Sequence, residues 1–198
     1  MRIAATCLLV ATLAACTLHP RTDEERYTQW LSRGHAAEVA AYGAYLHRHG
    51  LDTILPMPQL LRSARRWRRC STDEYVVPPE SEWSAMRSTL VLVRELDRAG
   101  LLNDPRVASS YRNESLNRCE GGSTRSRHRL NNALDFDIAP SAHGVAALCA
   151  YWRQHGPSHR FGLGFYSDHQ IHVDTSGFRT WGLDHTRRSS LCVRRPAQ

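Results

Sequence analysis

The sequence predicts an α+β fold in which N-terminal helices are followed by a small, mostly antiparallel sheet with one covering helix. Three observations predict it. Apolar residues recur at helical spacing in the first half of the chain, as at Trp83, Met86, Leu90, Val93 and Leu96. Further on, the pattern changes to short alternating runs, "RVASSYR", "ALDFDI", "GLGFY" and "IHVDT", separated by Gly, Asn and Ser. One helical stretch, from about Ala142 to His155, interrupts those runs. Helices followed by strands point to α+β rather than to a regular alternation around a parallel sheet.

The first element is a processing signal. A lone Arg2 precedes the apolar run "IAATCLLVATLAAC", which is too short to span a bilayer and ends in small residues, so residues 1–15 are expected to be a signal peptide. Leu13-Ala14-Ala15-Cys16 resembles the lipobox of bacterial lipoproteins, which implies cleavage before Cys16 and a lipid on that cysteine; an ordinary signal peptide with an incidental cysteine is the alternative. Thr17 in place of Asp resembles outer-membrane sorting in enterobacteria. The expected location is therefore the bacterial cell envelope, as a periplasm-facing lipoprotein of the outer membrane. No later stretch is long and apolar enough for a transmembrane helix, so the lipid on Cys16 is the expected membrane attachment.

Residues 16–79 are expected to form an N-terminal helical extension. Thr22-Asp23-Glu24-Glu25 has the form of a capping box and opens a helix through about His49, closed by Gly50. Pro56 and Pro58 mark a break, and a short second helix is expected up to Cys70. Trp67 with Arg65, Arg66, Arg68 and Arg69 fits a helix with a solvated basic face, or else a membrane-surface patch. Pro78-Pro79 then precede a helix from about Glu80 to Ala99, stopped by Gly100, with which the main domain, residues 80–198, begins. No internal repeat or low-complexity segment is evident.

Four cysteines follow Cys16: Cys70, Cys119, Cys149 and Cys192. An even number in an oxidising compartment predicts two disulfides, and Cys70–Cys119 with Cys149–Cys192 is the preferred pairing among three. A structural zinc on four thiolates competes, but no CxxC pair supports it. The formal charge is +7, and every basic residue other than histidine is arginine. That charge suits nucleic acid, anionic lipid or an anionic cell-wall polymer. Export disfavours nucleic acid, and no nucleic-acid motif or phosphate-cradling loop is present.

The chemistry concentrates in "STRSRHRLNNALDFDI", Ser123 to Ile138, where a histidine is followed seven residues later by an aspartate inside an apolar strand. The two-residue period of a strand sends Leu134, Phe136 and Ile138 to one face and Ala133, Asp135 and Asp137 to the other. In "IHVDT" it separates Ile171 and Val173 from His172 and Asp174. If the strands share a sheet, Asp135 and His172 project from one side, and His128 can fold back over it. Two imidazoles and a carboxylate form the protein half of a catalytic Zn2+ site, and the cation would offset the cost of burying Asp135. An arginine partner for Asp135, with both histidines in ordinary structural roles, is the alternative.

Ser126-x-His128-x-x-Asn131-x-Ala133-x-Asp135 resembles the SxHxxGxAxD signature of the M15 family of zinc D-Ala-D-Ala peptidases, which have a Hedgehog/DD-peptidase fold. "GLGFYSDHQIHVDTSGFRTWG" resembles that family's closing block, and "SSYRNESLNRCEGG" its SGYRSPxxN turn. The resemblance runs from about Val107 to Gly182. It implies Zn2+ held by His128, Asp135 and His172, with Arg112 binding the substrate carboxylate, a task a planar guanidinium suits. Asn131 replaces the family glycine, and asparagine tolerates positive φ better than most residues. His169 occupies the family's general-base position, with Asp168 one residue earlier; either side chain could take the proton, Asp168 slightly preferred, or neither acts.

Asp174 is expected either to orient a ligand imidazole or to cap the next turn. Tyr111 and Tyr166 are expected to be packed aromatics that could line a cleft, and Trp181 is expected to cover the site's floor. His143, His155, His159 and His185 are expected at the surface. Ser109 and Ser110 show no signature of an activated nucleophile. The expected function is a zinc-dependent peptidoglycan peptidase that cleaves stem peptides next to a D-amino acid, as a D,D-carboxypeptidase or endopeptidase, by attack of metal-bound water. The alternative is a catalytically weak or inactive peptidoglycan-binding envelope lipoprotein.

Overall fold

Thr22 caps the first helix of the computed structural model, which describes residues 22–139 and 144–193. Its hydroxyl accepts from the Glu25 amide at 3.2 Å while its own amide donates to the Glu25 carboxylate at 2.7 Å, so the expected capping box forms. The signal peptide, Cys16, Ala142 and His143 lie outside the described residues.

The single expected helix to His49 is two helices, α1 (Asp23–Trp30) and α2 (Ala36–Arg48), joined by one wide turn. Gly34, at φ +106°, breaks the regular ladder there. α3 (Met57–Leu60) is four residues long, and the expected helix up to Cys70 does not form. The chain instead doubles back: the Ser63 amide donates to the Glu74 carbonyl at 2.9 Å and the Val76 amide to the Leu61 carbonyl at 2.9 Å. These bonds satisfy the backbone in a way helix propensity does not anticipate, and they leave Trp67 and its neighbouring arginines in turns rather than on a basic helix face.

α4 (Met86–Arg98) follows a 3-10 turn over Glu80–Ala85 and ends as expected. Gly100 takes φ +67°, and the Leu101 amide donates to the Leu96 carbonyl at 2.9 Å. The strands are β1 (Arg106–Ser109), β2 (Ala133–Asp137), β3 (Gly162–Phe165), β4 (Gln170–Asp174) and β5 (Arg179–Trp181). They form one sheet in the order β1-β2-β4-β3-β5, antiparallel except for the β3–β5 pair. Two elements were not expected from the sequence: β5, and the short α5 (Glu114–Cys119), capped by the Asn113 side chain.

Leu134, Phe136, Leu163, Phe165, Ile171 and Val173 are buried in the sheet, and α4 packs on β2 and β4. Each such side chain contributes about 1.5–3 kcal/mol on burial, so the sheet's register is held by its apolar face. α6 (Gly144–His159) is tied in by the Trp152 indole, which donates to the Phe161 carbonyl at 3.1 Å, and by Tyr151, whose hydroxyl reaches Glu95 of α4 at 3.2 Å. The core is continuous from Trp30 to Cys192, across residue 79. Both disulfides, Cys70–Cys119 and Cys149–Cys192, are as expected, which leaves none of these four thiols for a structural zinc. Among the described residues no helix is long and apolar enough to cross a membrane.

Candidate metal centre

β2 and β4 pair with Asp135 directly opposite His172, so the alternation that buries Leu134 and Val173 in the core places these two polar groups on the other face. His128 arrives from the preceding loop. Asn131 makes that return possible by adopting φ +47°, and its side-chain amide donates to the Glu82 carbonyl at 3.0 Å. The Arg112 amide donates to the His128 carbonyl at 3.1 Å, which locks the loop to the turn after β1.

Three donor atoms converge. His172 Nδ1 lies 2.9 Å from Asp135 Oδ1, His128 Nε2 lies 3.2 Å from the same oxygen, and the two imidazole nitrogens are 3.2 Å apart. The opposite edge of each ring has an acceptor of its own: His128 Nδ1 faces the Ser110 carbonyl at 2.7 Å, and His172 Nε2 faces Asp174 Oδ2 at 2.9 Å. Each neutral imidazole therefore carries its proton on the outer nitrogen and aims a lone pair inward. Two lone pairs and a carboxylate oxygen at such separations repel unless a cation or a proton lies among them. The spacing fits a tetrahedral Zn2+, whose ligands about 2.0 Å from the metal stand about 3.3 Å from one another. Donor type, number and second contacts all fit that ion.

The electrostatics favour a neutral His128 and an ionised Asp135, the forms in which these side chains could ligate a metal. Burial, followed by the Arg112 cation, lowers the His128 imidazole to about 4. Burial also opposes charge on His172, but its hydrogen bonds to Asp135 and Asp174 raise it overall. Burial would raise Asp135, yet the two histidines hold it well below the usual carboxylate range.

Arg112 is buried, 7% exposed; its guanidinium stands 3.8 Å from Asp135 Oδ2 and its Nε has no hydrogen-bond partner among the described residues. It lines the same cleft as the three ligand candidates, a cavity of about 980 Å3. Tyr166 and Trp181 also line it, and the Trp181 ring stacks obliquely on His172 at 5.0 Å. Burial and the Asp135 carboxylate push the Tyr166 phenol up. Arg65 and Arg66, from the expected N-terminal extension, form part of the wall, whereas no residue of α1 or α2 does. Tyr111 is half-buried and does not line the cleft. His185 stands exposed at the mouth, His155 is exposed, and His159 is half-buried against Glu95 at 3.0 Å.

Asp168 and His169 are not brought to the centre. They occupy the β3–β4 turn, where His169 Nδ1 bonds Asp168 Oδ1 at 2.7 Å, both side chains face solvent in large part, and neither lines the cleft. Asp174 takes both expected roles, orienting the His172 ring and capping the next turn. It is fully buried, bonded to His172, to the Ser176 amide at 2.8 Å and to both terminal nitrogens of Arg179.

Sequence reasoning missed Asn132 and Arg179. The Asn132 side-chain oxygen accepts from the Thr175 amide at 3.3 Å and the Ser176 hydroxyl at 3.1 Å, while its nitrogen donates to the Ala85 carbonyl at 3.0 Å, fixing the end of β4 to the start of α4. The only signal was an Asn-Asn pair before a strand.

Residues 62–174, more than half of the chain, match a family model described as Peptidase M15. No curated protein and no solved structure matches the chain.

Proposed function

Because this chain belongs to the M15 peptidase family, whose members are metallopeptidases, we propose that it is a zinc-dependent peptidoglycan peptidase that cleaves a stem-peptide bond next to a D-amino acid, as a D,D-carboxypeptidase or an endopeptidase. The observation that carries this proposal is the convergence of His128 Nε2, His172 Nδ1 and Asp135 Oδ1 with both outer ring nitrogens already engaged. Those three residues would hold the ion. Zn2+, when bound, supplies Lewis acidity toward the scissile carbonyl and acidifies water.

The chain's own residues supply the rest. Arg112, buried with an Nε that has no hydrogen-bond partner among the described residues, binds a substrate carboxylate or the polarised carbonyl. Six arginines line the cleft; Arg65, Arg66 and Arg179 are engaged with Asp137, Glu120 and Asp174, while Arg125 and Arg127 form no ion pair among the described residues. That surplus of positive charge suits an anionic stem peptide. Proton transfer by Asp168 or His169 requires the β3–β4 turn to fold over the cleft. The lipid on Cys16 and an outer-membrane, periplasm-facing location belong to the same proposal, since they bring the cleft to the wall polymer.

The position of Asp168 and His169 favours a second hypothesis, an envelope lipoprotein that binds peptidoglycan without efficient turnover. One experiment separates the two. Purified protein is incubated with muropeptides, with and without a chelator, alongside metal analysis of a His172→Ala variant. Zinc-dependent release of product, with zinc lost from the variant, is expected; zinc binding with no product on any stem peptide would leave the binding protein.

A further inference from the structure

β3 runs between β4 and β5, and the residues it sets on the polar face of the sheet are both glycines. Gly162 registers with Asp174 on one side and Arg179 on the other; Gly164 registers with His172 and Trp181. Neither glycine is explained by a turn, and neither has positive φ. A Cβ at Gly162 would stand 2.5 Å from Asp174 Oδ2 and 2.6 Å from Arg179 Nη1, and one at Gly164 would stand 2.5 Å from the Trp181 indole. β3 therefore presents a bare strip of backbone.

Across that strip, side chains of β5 reach β4, although the two strands lie two sheet spacings apart, about 9.5 Å. Arg179 grips Asp174 with two parallel bonds, Nη1 to Oδ1 at 3.0 Å and Nη2 to Oδ2 at 2.6 Å. Asp174 Oδ2 is also the acceptor for His172 Nε2 at 2.9 Å. Trp181 lies against the His172 ring, centroids 5.0 Å apart, and the Arg179 guanidinium sits 4.9 Å from the Trp181 centroid. The imidazole is thus held at its far nitrogen and along one side.

We infer that Arg179 is a positioning residue for the metal centre: through Asp174 it fixes the rotation of the His172 ring, with Trp181 as the lateral stop, and Gly162 and Gly164 are there to let both side chains cross. The inference rests on the proposed assignment of His172 as a metal ligand. A bidentate guanidinium suits this task better than a lysine, because it fixes the plane of the carboxylate as well as its charge. Outer contacts of this kind typically set metal affinity by about 10–100-fold.

The test measures Zn2+ affinity of the full mature chain by chelator competition, together with the visible absorption of the Co2+-substituted protein, which reports ligand geometry. Variants are His172→Ala, Arg179→Ala, Arg179→Lys and Gly162→Ala, with folding checked by thermal unfolding. Arg179→Ala is expected to weaken Zn2+ binding about 10–100-fold and alter the Co2+ spectrum, with lysine restoring only part. Gly162→Ala keeps every charge but wedges the clamp apart, so it should weaken binding too; it carries the test if Arg179→Ala fails to fold. Loss of zinc in His172→Ala, with affinity within twofold of wild type and an unchanged spectrum in the Arg179 and Gly162 variants, would overturn the positioning role alone. No zinc binding by the wild type, or full retention by His172→Ala, would overturn the ligand assignment and the clamp with it.

Discussion

His128 Nδ1 donates to the Ser110 carbonyl over 2.7 Å, which leaves Nε2 free to face Asp135 and His172. A proton added at Nε2 would have to enter a buried site beside Arg112, and burial with that cation is what lowers the imidazole to about 4.

This sets the acid side of the stability profile of the metal-free protein. A histidine with a depressed folded pKa binds its proton more readily when unfolded, so stability falls as pH drops from the ordinary value of 6.5 to about 4, by up to about 3 kcal/mol. His172 acts on the other side. Raised in the fold by Asp135 and Asp174, it contributes stability fully present below the unfolded value and lost as pH rises through the folded one. Thermal unfolding in chelator should therefore show a maximum near pH 6.5, and His128→Gln should flatten the acid limb. An acid limb unchanged in that variant would refute the assignment.

Arg112 and the surrounding arginines are expected to act on substrate through charge. Arg112→Ala should lower kcat/KM about 10²–10³-fold, as truncating a buried charge partner typically costs about 3–4 kcal/mol, without loss of zinc. Raising ionic strength should raise KM in the wild type, because the exposed Arg125 and half-buried Arg127 are open to screening. Steady-state kinetics on an anionic stem peptide at two salt concentrations check both.

The β3–β4 turn offers a direct test of proton handling. If Asp168 or His169 swings over the cleft during turnover, Asp168→Ala or His169→Ala should lower kcat about 10²-fold or more with KM and zinc content little changed. Equal kcat in both variants and the wild type would remove both residues from the chemistry.

The disulfides close loops of sequence separation 49 and 43, each expected to stabilise the fold by about 4 kcal/mol by restricting the unfolded chain. Paired serine substitutions should lower the melting temperature in both cases. Only Cys70→Ser/Cys119→Ser should also weaken substrate binding, since Cys119 is followed by Glu120, Gly121 and Gly122 of the cleft wall.

Much of the centre was legible in the chain because a strand alternates. "ALDFDI" and "IHVDT" each put ionisable groups on one face and apolar groups on the other, and the register then set Asp135 opposite His172. The αL turn at Asn131 was legible for a similar local reason, since few other residue types adopt that backbone readily. β5 was not legible. "RTW" is too short to show a period, and it is a strand only because β3 lies beside it in parallel. The stretch after Leu61 has helical composition, but a distant partner at Glu74 takes its backbone bonds.

The sequence by itself determined the α+β order of elements and which side chains share a strand face, because these follow from local propensity and period. Only the tertiary structure decided that Asp168 and His169 turn outward, that Arg65 and Arg66 join the cleft, and that Arg179 reaches His172 through Asp174. Those relations join residues far apart along the chain or set by a turn's path, and no periodicity encodes how strands are ordered across a sheet or which bare backbone lets one side chain cross to another.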